Sequence, residues 1–250
     1  MIAHLRSLFF SIVFLGVIEY VISIPFSFSD TKSLTLAGLL CVFAVFAGWS
    51  VGKKFIFVFL PLSLTISSLG LLFFIDSLKE QQIFGFLVFL LFYISLLGIK
   101  RISTNPFDMT ARSLFSATLI ANIFFFYALI YGVYINFNIP LYLFIGVNFL
   151  FVLIVTVVSL RAYCSNYKRI FLYSIIIAFS MIQLVWMANF WPFGYLTMAA
   201  ITLMFYYVLW DLVQMVFLET LSKKRIVITI IFCVVLTLLV LLTTQWILVG

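Results

Sequence analysis

The stretch WPFGYLTMAAITLMFYYVLWDLVQMVFLETLSKKR, from Trp191 to Arg225, decides the fold class. A long, mostly apolar run separates the turn Trp191-Pro192-Phe193-Gly194 from the basic triplet Lys223-Lys224-Arg225. About 20 apolar residues suffice to cross a bilayer as a helix. Aromatic residues suit a membrane interface, and basic residues suit the cytoplasmic side. The stretch therefore supplies a span, an orientation and, in Asp211, a carboxyl inside the span.

The rest of the chain repeats the first two features. Hydrophobic residues make up 66% of it and charged residues 8%, too few polar groups to cover a soluble domain. The apolar runs have helix length and lack the alternation of outer-membrane barrels. The expectation is an all-α, polytopic integral membrane protein, one transmembrane domain over residues 1–250, with the lipid bilayer as its first partner.

Nine spans are predicted. They run from Leu8 to Phe26, Leu34 to Ser50, Phe55 to Ile75, Ile83 to Ile99 and Leu114 to Tyr134. The others run from Pro140 to Leu160, Ile170 to Asn189, through the opening stretch, and from Ile226 to Leu248. A re-entrant segment would make them eight. Pro25 ends the first span, and an outer loop follows it. Residues 102–113 read as the most loop-like part, either a solvated connector or a short interfacial helix begun by Pro106 with Thr104 or Asn105 as cap. Ala44, Gly48 and Gly52 form a bare stripe for close helix packing. Pro61 is expected to kink the third span. Tyr127, Tyr131 and Tyr134 are expected at the outer interface, before a turn at Asn136-Phe137-Asn138.

Nine spans place twelve of the 14 basic residues on one side and only Lys32 and Lys79 on the other. By the positive-inside rule the N-terminus is inside and the C-terminus outside, as in a cytoplasmic (cell) membrane. The net charge of +7 is accordingly read as topology, not nucleic-acid binding.

Five spans carry a polar residue at depth. Glu19 lies roughly 20 Å of helical rise from Arg6, and Asp211 roughly 18 Å from Lys223. Asn122, Asn148 and Gln183 lie roughly 15 to 21 Å from Arg112, Arg161 and Arg169. All five are predicted near the midplane of a core about 30 Å thick. No Lys or Arg within a span neutralises either carboxyl, so both are expected to face the bundle interior. Tyr207, Asp211 and Gln214 share one face of the eighth span, and Gly16, Glu19 and Ser23 one face of the first. Amides and protonated carboxyls also serve as interhelical glue.

Absent groups narrow the chemistry. His4 is the only histidine, which excludes bis-histidine haem and His-Glu-x-x-His zinc chemistry. No Gly-x-Ser-x-Gly and no Walker loop occurs. Cys41, Cys164 and Cys233 are too scattered for a disulfide framework. The expectation is no enzyme, no metal and no cofactor. The working function is a small transporter-like carrier whose midplane carboxyls couple to a proton or cation. The alternative is a structural or accessory subunit that contacts other membrane proteins.

The Trp191-Pro192-Phe193-Gly194 turn followed by Tyr206-Tyr207-Val208-Leu209-Trp210 resembles small polytopic membrane proteins of candidate-phyla bacteria. The resemblance covers the last quarter of the chain and implies no activity.

Overall fold

The computed structural model describes residues 2–23, 31–105, 108–161 and 166–244. The predicted end of the first span at Pro25, the outer loop at 27–30, Pro106, Phe107, Cys164 and the ninth span beyond Thr244 lie outside them. Among the described residues there is no strand. Nine helical segments there are long and apolar enough to cross a membrane.

In chain order the helices are α1 (Ile2–Ser23), α2 (Thr31–Gly52), α3 (Phe59–Leu72), α4 (Leu78–Thr104) and α5 (Met109–Phe137). They continue with α6 (Leu141–Leu160), α7 (Tyr167–Ala188), α8 (Tyr195–Phe217) and α9 (Lys223–Thr243). A 3-10 turn, Phe55–Val58, leads into α3. The chain divides into two compact units, residues 1–126 and 127–250, with the division inside α5.

In the first unit α1 packs on α4 and α2 on α3. Phe14 of α1 stacks on Phe92 of α4, with ring centroids 4.0 Å apart. Both side chains are fully buried. Gly85 of α4 leaves room for Ile18 and Ile22 of α1, which lie 3.2 Å from where a Cβ would stand. The Ala44-Gly48-Gly52 stripe packs as its sequence predicts. A Cβ on Gly48 would stand 2.8 Å from the Pro61 ring and 3.2 Å from the Val58 Cα. One on Gly52 would stand 2.8 Å from Ile99. Pro61 sits in the first turn of α3, where its missing N–H has no helical partner to lose.

In the second unit α6 packs on α7, α7 on α8, and α8 on α9. Most of the large apolar residues of α9, from Val227 to Leu242, are exposed.

Three helices, α2, α5 and α8, end at residues with positive φ. These are Lys53 (54°) and Asn138 (48°), directly after α2 and α5, and Glu219 (56°), two residues after α8. A left-handed residue turns the chain out of a helix, usually as glycine but sometimes as asparagine.

The loop predicted at 102–113 is a correction. α4 runs on to Thr104 and α5 starts at Met109, so only residues 105–108 lie between them. Hydroxyls bonded back into the helix carry α4 through its polar end. Ser103 donates to the Lys100 carbonyl, and Thr104 to those of Lys100 and Arg101. The cap of α5 is Asp108 and not Thr104 or Asn105. Asp108 Oδ1 accepts from the Thr110 backbone N–H at 3.0 Å and from its hydroxyl at 2.8 Å. The Thr110 hydroxyl holds this exposed carboxyl below the usual carboxylate range. Asn136 likewise lies in α5, not in a turn, and donates to the Gly132 carbonyl.

Candidate functional site along the α8–α9 seam

The seam grows out of a seven-residue spacing. On α8, Thr197, Met204 and Asp211 recur every seven residues and so line one edge of the helix. On α9, Thr229, Cys233 and Thr237 recur every four, with Thr244 beyond. Antiparallel packing brings the two rows together. Thr229 donates to Asp211 Oδ2 at 3.1 Å. The Cys233 thiol points to the Met204 carbonyl at 3.8 Å, and Thr237 donates to the Met204 sulfur at 3.5 Å. Thr197 and Thr244 stand 3.5 Å apart at the far end. An open groove of about 530 Å³ begins there, lined by Gly194, Tyr195, Thr197, Val240 and Thr243 among others.

Asp211 is half-buried, as are Tyr207 and Gln214 on the same face of α8. These three sequence-predicted residues come together. Within the second unit, Asn148 and Gln183 do not join them. Asn122 is fully buried in the first unit, and its Nδ2 donates to Ser63 Oγ at 2.7 Å. Asn148 is fully buried in α6 and donates to the Phe144 carbonyl one turn back. Asn122 is thus tied to α3, the arrangement expected of interhelical glue, while the Asn148 bond stays within its own helix. Gln183 is exposed on α7.

Glu19 is exposed on α1, which contradicts its predicted interior position. Packing explains the difference. The face of α1 that meets α4 is the larger one, with Phe14, Ile18 and Val21, and Glu19 lies off it.

The common midplane depth also needs correction. Counting Asp211 from Lys223 assumed one continuous helix, but α8 ends at Phe217. Asp211 lies about 9 Å of rise from that end. Gln183 lies within about 8 Å of the end of α7 at Ala188. Asn122 remains near the middle of α5.

A second polar cluster went unforeseen. Tyr127 and Tyr131, expected at an interface, are buried, at 0% and 1% exposure. Tyr131 shares a hydrogen bond with Thr202 of α8, and Tyr206 one with Thr156 of α6, each at 3.2 Å. Trp210 donates to Ser159 at 3.1 Å. A buried tyrosine or tryptophan usually finds such a partner. Threonines 156 and 202 inside apolar runs were the available signal. Tyr206 belongs to this buried cluster, while Tyr207, one residue on, faces the seam.

Cys41 and Cys233 are free thiols. Among the described residues no three of His, Cys, Asp and Glu come together. No family model matches the chain, and no curated protein or solved structure matches it.

Proposed function

We propose that the chain is a multi-pass protein of a cytoplasmic membrane, with its N-terminus inside and its C-terminus outside. Nine apolar helices and the one-sided distribution of basic residues support this reading. Within it, the α8–α9 pair acts as a carrier element coupled to a proton or small cation. The observation that carries the carrier reading is Asp211, a carboxyl held by Thr229 at one end of a polar seam whose other end opens into a groove. Intramembrane carboxyls mark ion and proton pathways when no basic residue neutralises them. The seam offers hydroxyls, a thiol and a thioether, groups that can accompany a proton or a weakly bound cation.

The test uses the full chain in liposomes that enclose a pH-sensitive dye. Proton, sodium and potassium gradients are imposed in turn. Wild type is expected to give flux above that of empty liposomes for at least one ion. Asp211→Asn is expected to reduce that flux at least tenfold while its thermal midpoint stays close to that of wild type. Wild-type liposomes that match empty ones under every gradient would rule the carrier out.

A second reading, a membrane subunit that assembles with other membrane proteins, is favoured by one observation. Glu19 projects from the outer face of α1 and not into a site.

A further inference from the structure

We propose that the middle of the α8–α9 seam is a site for one soft monovalent cation, copper(I) or silver(I), held between the sulfurs of Met204 and Cys233. The proposal rests on the carrier reading for the path of that ion and deepens it by naming the cargo.

The two sulfurs come from facing helices and meet at one hydroxyl. Thr237 Oγ1 donates to Met204 Sδ at 3.5 Å and stands 4.0 Å from Cys233 Sγ. Cys233 Sγ is also 3.8 Å from the Met204 carbonyl oxygen, so the thiol lies beside the residue that bears the thioether. A methionine side chain turns about three bonds, which lets its sulfur close on the thiol while both backbones stay in place.

Position along the helices gives the pair its meaning. Met204 lies near the middle of α8, and Cys233 lies at the middle of α9. Asp211 is about 10 Å of rise to one side of Met204. Thr197, at the groove, is the same distance to the other. The sulfurs are therefore the central station of the seam, between the carboxyl and the opening.

The donors select the ion. Thiolate and thioether sulfurs favour copper(I) over hard cations. Calcium and magnesium take six or more oxygens. Structural zinc takes four ligands, and among the described residues no three of His, Cys, Asp and Glu come together to begin such a set. A closed-shell monovalent ion is satisfied by two sulfurs, and silver(I) is the redox-silent equivalent of copper(I).

Charge balance suits the setting. On binding, the Cys233 S–H bond breaks, a sulfur–metal bond forms and the proton passes to water. The metal keeps its oxidation state. Thiol and metal thiolate are both neutral, so the central station carries no net charge in either form. A charge left unbalanced at that depth would be costly.

The probe is copper(I), kept reduced by ascorbate under nitrogen and buffered by the chromogenic chelator bicinchoninate. It is titrated into the full-length protein in detergent, with Cys41→Ser and Cys164→Ser leaving Cys233 as the only thiol. This parent is expected to take one copper(I) per chain in competition with the chelator. Met204→Leu, which conserves volume, is expected to weaken binding at least tenfold, and Cys233→Ser at least a hundredfold. The metal-free thermal midpoint of Met204→Leu is expected to match that of the parent. A Met204→Leu protein that binds as tightly as the parent overturns the proposal, since the thiol then acts alone. Binding that survives Cys233→Ser overturns it as well. Silver(I) uptake into liposomes, added to the gradients above, separates the two levels. Copper(I) binding at both sulfurs with no flux of any ion upholds the site and overturns the carrier reading. Proton or alkali-cation flux with no copper(I) binding overturns the site and leaves the carrier reading standing.

Discussion

Leucine in place of Gly48 is expected to lower the thermal midpoint of the detergent-solubilised protein by roughly 10 °C, a loss of about 3 kcal/mol in a chain of this size. The reason is geometric. A Cβ at this position already stands 2.8 Å from the Pro61 ring and 3.2 Å from the Val58 Cα. Neither neighbour can rotate away, because one is a closed ring and the other is backbone. Larger side chains therefore push α2 off the turn that leads into α3. The control is Gly146→Ala. No atom lies within 4 Å of a Cβ at Gly146, and alanine is the better helix former by about 1 kcal/mol. Its midpoint is expected to stay the same or rise. A Gly48→Leu protein as stable as wild type would show that α2 and α3 do not approach this closely.

The second large effect is expected at Phe14. Alanine there removes a fully buried ring stacked on an equally buried Phe92. In a soluble core such a truncation costs about 3–5 kcal/mol. In lipid the share due to water exclusion falls away, because acyl chains solvate a phenyl ring as well as a protein interior does. The remaining loss of packing is about 2–3 kcal/mol. Reversible unfolding in mixed micelles would measure it. Phe9→Ala is the comparison. Phe9 lies on another face of α1 and is 62% exposed, and its truncation is expected to change stability by less than about 0.5 kcal/mol. Equal losses at the two positions would contradict the packing of α1 on α4.

Both predictions concern contacts that the sequence announces unequally. Three small residues at four-residue spacing marked the α2 stripe in advance. Nothing comparable singled out Phe14 among 32 phenylalanines. The helices themselves were legible because apolar runs of this length admit few other conformations. Their ends were less so. A hydropathy reading stops where charge begins, but α4 continues to Thr104, with the Ser103 and Thr104 hydroxyls donating back to the Lys100 carbonyl.

The candidate site was legible as far as one helix. Tyr207, Asp211 and Gln214 share a face by periodicity alone, and the structure keeps them together. Their partner Thr229 was invisible, since nothing in α9 marks a threonine as facing a carboxyl on the preceding helix. Glu19 was misplaced for another reason. The carboxyl was assigned to the interior from its depth alone, whereas the larger side chains Phe14 and Ile18 take the face that packs on α4. The tyrosines were misplaced because the same side chain suits an interface or a core, and only a facing hydroxyl decides between them.

The ladder between α8 and α9 acts as a ruler. Its rungs join residues whose numbers sum to nearly the same value from one end to the other, so one register is set along the whole seam. A slide of seven residues, about 10 Å, would keep part of the ladder. Thr237 would then meet Thr197, and Thr229 would meet Met204. That same slide would draw Lys223, Lys224 and Arg225 about 10 Å toward hydrocarbon, at a cost of several kcal/mol. The basic triplet at the start of α9 is thus a mechanical stop as well as a topological signal. It disfavours that alternative register.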